Sequence, residues 1–147
     1  MHAQQPAASP ALSNAFTSPI DRHDAEPIRV VQGQLDAYNA RDIDAFAATF
    51  APDVIVFDLE SQSAESSAVR FVGRDALRER YGAQFRQHPR QRSFVASRQQ
   101  VGEYVFDLEF VSGSEGRPDA HLMAVYRVRR GADGVARIDR AWFTPRL

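Results

Sequence analysis

The sequence predicts an α+β domain in which three helices pack on one face of a curved, mostly antiparallel sheet and enclose a pocket. Apolar residues recur at helical spacing in the first half of the chain. From about residue 92 onward, apolar segments separated by glycine-containing turns predict successive strands. The length of 147 residues, 44% of them hydrophobic, suits a single domain whose core can surround a ligand.

The first part of the domain, from residue 26 onward, predicts a helical hairpin. Its first helix is indicated by apolar residues three, four and three positions apart, which form one stripe: Ile28, Val31, Leu35 and Tyr38. Asp42 resembles the N-cap of a second helix that runs through Phe50, and Pro52 is expected to end it.

The strands follow from short β-branched and aromatic runs. Residues 54–59 predict a first strand in which Asp58 shares a face with Val54 and Val56. A serine-rich loop at 60–68 leads to a short strand at Phe71-Val72, and a third helix is expected from residue 76 to residue 87. The remaining strands are expected near 92–101, 103–111, 120–129 and 136–144.

The alternation in one strand leaves open which of its faces is buried. In the strand at 103–111, we expect the helices to cover the aromatic set that begins at Tyr104 and ends at Phe110, with Asp107 and Glu109 facing solvent. A paired-carboxylate site at Asp107 and Glu109 is the alternative.

The last strands carry apolar residues on both faces. One face holds Leu122, Ala124, Tyr126 and Val128, and the other holds Met123, Val125, Ile138 and Trp142. Since three helices can cover only one face, the second face predicts a homodimer interface.

Composition limits the possible chemistry. Cysteine is absent and all 18 basic residues are arginine, which excludes thiolate and lysine chemistry. The four histidines lack metal-ligand spacing, so no metal site is expected. A net charge of −1 and the lack of a long apolar run predict binding to neither nucleic acid nor a membrane.

The first 25 residues differ in composition from the rest. They are rich in Ala, Ser, Pro and Gln, and Pro6 and Pro10 interrupt every apolar run that a secretory signal would need. We therefore expect a flexible extension at 1–25 of a cytoplasmic protein, followed by one domain at 26–147.

Three segments carry a family resemblance: YNARDIDAFAATFAPDVIVFDL at 38–59, FVGRDALRERY at 71–81 and RIDRAWF at 137–143. The chain resembles the nuclear transport factor 2-like superfamily, and its ketosteroid isomerase and SnoaL-like polyketide cyclase branches are the most similar. The resemblance implies a cystatin-like cone whose pocket takes a small apolar ligand without a cofactor. Because this superfamily includes both enzymes and non-enzymes, the fold alone assigns no reaction.

The resemblance to ketosteroid isomerase also implies site residues. Asp58 falls on the catalytic base and Tyr81 on a supporting tyrosine, whereas Gln34 and Ala124 stand where that enzyme has its oxyanion-hole donors. We expect Asp58 to lie in the pocket with no basic residue beside it. The expected pocket walls are Phe46, Phe50, Val56, Phe85, Leu122, Tyr126 and Phe143.

Two hypotheses about function remain open. The first is an isomerase or cyclase with Asp58 as general base and Tyr81 and Gln34 as polar partners. The second is a non-catalytic ligand-binding or dimeric accessory and interaction domain. The missing oxyanion donors favour the second slightly, because each donor contributes about 10² to 10³ in rate.

Overall fold

The computed structural model describes residues 25–59 and 69–147. Their helices are α1 (Glu26–Ala40), α2 (Ile43–Ala48) and α3 (Arg74–Gln87). Their strands are β1 (Phe50–Asp58), β2 (Val69–Val72), β3 (Arg92–Val101), β4 (Tyr104–Ser112), β5 (Ala120–Arg130) and β6 (Ala136–Phe143). The predicted extension at 1–25, apart from Ala25, and the predicted loop at 60–68 lie outside the described residues.

The strands form one sheet in the order β2-β1-β6-β5-β4-β3. Every neighbouring pair is antiparallel except β1 and β6, which run parallel. Helix α1 packs against β3 to β6, and α3 packs against β1 and β2. We call the helix-covered side of the sheet the inner face and the other side the outer face. The predicted α+β fold, with helices on one face of a mostly antiparallel sheet, is confirmed.

The ends of α1 and α3 are joined through Arg41. This residue ends α1 in the left-handed conformation, with φ of 57°. Its guanidinium lies 4.7 Å from the ring centroids of both Tyr38 and Phe85 and donates to the His88 carbonyl oxygen at 2.8 Å. The stacking and the hydrogen bond together hold the two long helices at this end of the domain.

Strand β1 starts earlier than the sequence indicates. The second helix was expected to run through Phe50, but α2 ends at Ala48 and Phe50 opens the strand. Pro52 lies within β1 between Phe50 and Ile55, where the pairing with β6 is interrupted. The missing proline N–H therefore removes no regular ladder hydrogen bond, which is why a strand tolerates proline here.

Strand β4 faces the opposite way from the expectation. Asp107 and Glu109 lie on the inner face, with only 1% and 6% exposure. They stand opposite Ala124 and Leu122 of β5. The expected buried set lies partly exposed on the outer face: Tyr104, Phe106, Leu108 and Phe110. The alternation of the sequence correctly placed the two carboxyls and the large apolar side chains on opposite faces of β4. Hydropathy alone then predicted the wrong set for the inner face.

The outer face also differs at one position of β6. Ile138 was expected there, but it is fully buried on the inner face opposite Val128. The register shift between Arg127 and Val128 changes the alternation and accounts for the difference. Trp142 does lie on the outer face, where it stacks on Phe57 with ring centroids 5.4 Å apart.

Candidate functional site

A cavity of about 1030 Å³ lies between the inner face of the sheet and helices α1 and α3. Its walls combine apolar side chains, such as Leu122 and Phe143, with an unusual number of polar ones. The polar and charged wall residues include Gln34, Arg70, Glu79, Arg80, Tyr81, His88, Ser93, Glu109, Arg117, Tyr126 and Arg146. The volume is typical of small-molecule sites, but the lining is more polar than the expected apolar pocket.

The residues expected to line the pocket divide into two groups. Leu122, Tyr126 and Phe143 are part of the cavity wall. The other four belong to the core behind that wall instead: Phe46, Phe50, Val56 and Phe85. The core positions are explained by an aromatic cluster in which Phe46 contacts Phe50, Tyr81 and Phe85 at centroid distances of 5.1, 4.8 and 5.5 Å.

Asp58 is paired with an arginine, contrary to the expectation of no basic neighbour. The Arg70 Nε donates to Asp58 Oδ1 at 2.9 Å, and Arg70 Nη2 bonds the same oxygen. The register between β1 and β2 shifts at Phe57, and Arg70 is the residue of β2 that this bulge leaves without a partner in the ladder. The spacing of residues in the sequence does not predict such a shift. The Asp58 side chain is 40% exposed and is not part of the cavity wall, whereas Arg70 is.

Glu109 is the carboxyl that the fold brings into the wall. Its Oε2 accepts a hydrogen bond from Ser93 Oγ at 2.9 Å, and its Oε1 accepts one from the Tyr126 hydroxyl at 3.0 Å. Both bonds are buried, so they fix the orientation of the carboxyl group. The sequence pattern predicts that Glu109 faces solvent, with a paired-carboxylate site as the alternative, and it gives no sign of the bond to Ser93.

A bulge in β3 supplies partners to both inner carboxyls. Ser93 and Arg98 would lie on opposite faces of a regular strand, but a register shift between Val95 and Ser97 brings both to the inner face. Arg98 then binds Asp107 through two bonds, of 2.7 and 2.9 Å. The pairing of Arg98 with Asp107 could have been suspected from opposite charges on neighbouring predicted strands; the bulge had no sequence signal.

The two carboxyls therefore sit in different environments. Burial raises the pKa of Glu109 above its ordinary value, and the neighbouring Asp107 adds to this effect. The hydrogen bonds from Ser93 and Tyr126, and the more distant Arg98, oppose the increase. Glu109 consequently holds its proton at a higher pH than an exposed glutamate does.

Gln34 and Tyr81 add two polar groups to the wall. Within 25–59 and 69–147, no hydrogen bond engages the Gln34 amide or the Tyr81 hydroxyl. Gln34 is nearly fully buried on α1, while Tyr81 comes from α3. Burial raises the pKa of Tyr81, so its hydroxyl stays protonated and can donate a hydrogen bond. Both groups are available to a bound molecule.

The described segments offer no obvious site for an inorganic cofactor. No group of three or more His, Asp or Glu side chains in these segments is close enough to hold a metal ion. The helices of the described residues are also too short or too polar to span a membrane.

The family follows from a comparison of the sequence with family models. Residues 31–138 match the model of the SnoaL-like domain, which is most of the chain. The chain belongs to the SnoaL-like domain family. No curated protein matches this SnoaL-like domain.

Solved structures share the fold of this SnoaL-like domain. An uncharacterized cystatin fold protein from Novosphingobium aromaticivorans is 24% identical, with a TM-score of 0.65 over 80% of this chain and 96% of that one. A candidate polyketide cyclase from Sinorhizobium meliloti is 23% identical, with a TM-score of 0.62 over 78% of this chain and 93% of that one. A SnoaL-like protein of unknown function from Burkholderia thailandensis is 18% identical, with a TM-score of 0.63 over 85% and 98%. These similarities confirm the cystatin-like fold.

The raised pKa of Glu109 predicts how stability depends on pH. Below the ordinary value of 4.5, Glu109 is protonated in both folded and unfolded chains and its contribution is constant. As the pH rises from there through the folded pKa, the unfolded chain gives up this proton first, so the free energy of unfolding falls. Each pKa unit between the two states is worth about 1.4 kcal/mol. Glutamine does not titrate, so the free energy of unfolding of Glu109→Gln does not fall in this way. The variant should therefore become more stable relative to wild type as the pH rises.

Urea unfolding of both proteins between about pH 4.5 and about pH 8 measures the difference. Glu103→Gln is the control, because Glu103 is exposed and pairs with Arg129 away from the cavity. The free energy of unfolding of Glu103→Gln should change with pH in parallel with that of wild type. Parallel profiles for wild type and Glu109→Gln would show that Glu109 titrates alike in the folded and unfolded chains.

Proposed function

We propose that this SnoaL-like domain is a cofactor-independent acid–base enzyme that acts on a small carbonyl compound in the cavity, with Glu109 as the proton-transfer group. The observation that carries the proposal is the buried carboxyl in the cavity wall, held on both oxygens by Ser93 and Tyr126. A carboxylate with a raised pKa is a stronger base than an ordinary glutamate, and a fixed orientation favours transfer to one substrate atom.

Removal of a proton beside a carbonyl also requires stabilisation of the oxyanion that forms. The Gln34 amide and the Tyr81 hydroxyl are donors of the cavity wall that no hydrogen bond engages within the described residues, and they are suited to this role. The proton passes from the substrate carbon to Glu109 while the electron pair moves to the carbonyl oxygen. Returning the proton from Glu109 to another carbon gives an isomerase. If the carbanion instead attacks a second carbonyl carbon, the electron pair of that carbonyl moves to its oxygen, which takes the proton from Glu109, and the result is a cyclase.

This proposal changes the role of Asp58. Its carboxylate is engaged by Arg70, and its side chain is absent from the cavity wall. Asp58 acts instead as a positioning residue that holds the Arg70 guanidinium at the wall. Tyr81 and Gln34 keep the polar roles that the resemblance implied.

The structural relatives give limited support to this reading. The similar protein from Sinorhizobium meliloti is a candidate polyketide cyclase, and cyclisation of a polyketide begins with the same removal of a proton beside a carbonyl. At 23% identity this similarity concerns the fold, so the argument for the reaction depends on Glu109 and its neighbours.

Proton exchange provides the test. A panel of cyclic enones and β-keto esters is incubated in D₂O with the protein, and ¹H NMR follows deuterium incorporation beside the carbonyl. We expect wild type to accelerate exchange for part of the panel and Glu109→Gln to reduce that acceleration by about 10² to 10⁴. Asp58→Asn keeps an oxygen acceptor for Arg70, so it should retain much more exchange than Glu109→Gln. Glu103→Gln is the surface control and should match wild type.

Two results would contradict the proposal. Equal exchange by wild type and Glu109→Gln would exclude Glu109 as the base, and the greater loss in Asp58→Asn would restore Asp58 to that role. Binding of panel members without any exchange above the buffer rate would favour the alternative, a non-catalytic ligand-binding domain.

We also propose that the outer face pairs with a second copy of the chain. Aromatic side chains lie side by side there, with Trp142 stacked on Phe57 and 6.2 Å from Tyr104. Met123 adds a 37% exposed apolar side chain to the same face. Partly exposed aromatic and apolar side chains on a sheet face that no described helix covers are typical of subunit interfaces.

Replacing Trp142 by arginine should therefore shift the protein from dimer to monomer. The charge would have to be buried against the partner, which costs several kcal/mol unless it finds an acceptor. Sedimentation velocity measures the change, and Val135→Arg, in an exposed turn after β5, is the control that should stay dimeric. A monomeric wild type at tens of micromolar would contradict the proposal, as would an unchanged dimer in Trp142→Arg.

A further inference from the structure

The cavity wall carries more positive than negative charge. Its arginines are Arg70, Arg80, Arg117 and Arg146, and its carboxyls are Glu79 and Glu109. Arg70 is neutralised by Asp58. In the part of the chain that the structure describes, no ion pair engages Arg117 or Arg146. The proposed acid–base chemistry does not use these two arginines.

Arg146 is held in place by the segment that follows β6. This segment continues along β5: the Thr144 N–H donates to the Met123 carbonyl at 3.0 Å, and Leu147 and His121 exchange two backbone hydrogen bonds of 2.8 and 2.9 Å. The Arg146 Nη1 donates to Ser114 Oγ at 3.1 Å. The guanidinium is thereby fixed at the wall, with most of its donors unused.

The loop between β4 and β5, which carries Arg117, is attached to the end of α3. Gln91 Nε2 donates to Ser114 Oγ at 2.9 Å, and the Glu115 N–H donates to His88 Nδ1 at 2.9 Å. Gly113 adopts φ of 77°, and a Cβ there would lie 2.5 Å from the Arg90 carbonyl oxygen. Only glycine permits this close contact, so the loop is held against the backbone that follows α3.

The arrangement places like charges near one another. Burial lowers the pKa of the Arg146 guanidinium, and repulsion from Arg117 and, more weakly, from Arg70 lowers it further. A half-buried cation without a counter-charge, such as Arg146, is unfavourable in a folded domain. A bound anion would remove this cost, and arginine pairs with a carboxylate through two parallel hydrogen bonds.

We infer that Arg146 and Arg117 form a carboxylate-binding subsite at the mouth of the cavity, so that the ligand is an apolar molecule with a carboxylate at one end. Arg117 is exposed and Arg146 is half-buried, whereas Glu109 is nearly fully buried, which orders the three residues from mouth to interior. The carboxylate would remain at the mouth while the apolar body extends past Leu122 toward Glu109. This inference rests on the proposed function only in taking the cavity as the ligand site.

The test compares two probes that differ in charge but hardly in shape, 2-naphthoate and 2-naphthamide. Isothermal titration calorimetry measures their binding to the full chain without any turnover. A charge-assisted bond exceeds a neutral one by enough for wild type to bind naphthoate about tenfold more tightly than naphthamide. Added salt should weaken naphthoate binding and leave naphthamide binding nearly unchanged.

Variants show which arginines cause the preference for naphthoate over naphthamide. Arg146→Gln and Arg117→Gln should each lose most of the preference for naphthoate, while Arg146→Lys, which keeps the charge, should retain part of it. Arg129→Gln, a change of the same charge at a residue paired with Glu103 outside the cavity, should behave as wild type. Circular dichroism confirms that each variant is folded, and the salt dependence of wild type needs no variant.

Equal affinity of wild type for the two probes, no binding of naphthoate, or a full preference retained in both glutamine variants would overturn the inference. These outcomes are separate from those of the exchange experiment, because calorimetry measures the binding of probes that are not turned over. A naphthoate preference without any proton exchange would leave the subsite standing and count against the acid–base function alone.

Discussion

The burial of two carboxyl groups on the inner face of β4 is the constraint to which much of the rest of the structure responds. Asp107 and Glu109 lie under the helices, where an unpaired carboxylate would cost several kcal/mol. Strand β3 meets this requirement through its bulge, which brings both Arg98 and Ser93 to the inner face. Asp107 receives a full ion pair, whereas Glu109 receives two neutral donors.

Because their partners differ, Asp107 and Glu109 have different places in the fold. The pair of Arg98 and Asp107 is also tied to α1 by a bond of 2.7 Å from Arg98 to Gln32, so it joins the sheet to the helix layer. Among the described residues, no ion pair engages Glu109, which lies in the cavity wall. One strand thus supplies both an ion pair that joins the two layers of the fold and a buried carboxyl that lines the cavity.

Much of the fold could be predicted from the sequence because its elements have strong local signals. The apolar stripe of α1 and the glycine-containing turns after residue 92 are such signals, and nearly every element lies within a few residues of its predicted bounds. The candidate site was harder, because β4 has large apolar side chains on one face and an apolar valine on either side of its two carboxyls on the other. The bulges that bring Arg70 to Asp58 and Ser93 to Glu109 depend on strand register, which spacing along one strand does not encode.

Glu109 lies in the wall of the cavity, where burial raises the pKa of its carboxyl group. A carbon-13 NMR titration of this carboxyl, assigned by the loss of its signal in Glu109→Gln, measures that pKa. We expect a midpoint above the ordinary value of 4.5. A midpoint at or below that value would show that the donors from Ser93 and Tyr126 outweigh burial and hold Glu109 as an ordinary carboxylate, and Glu109 would then have no raised pKa for proton transfer.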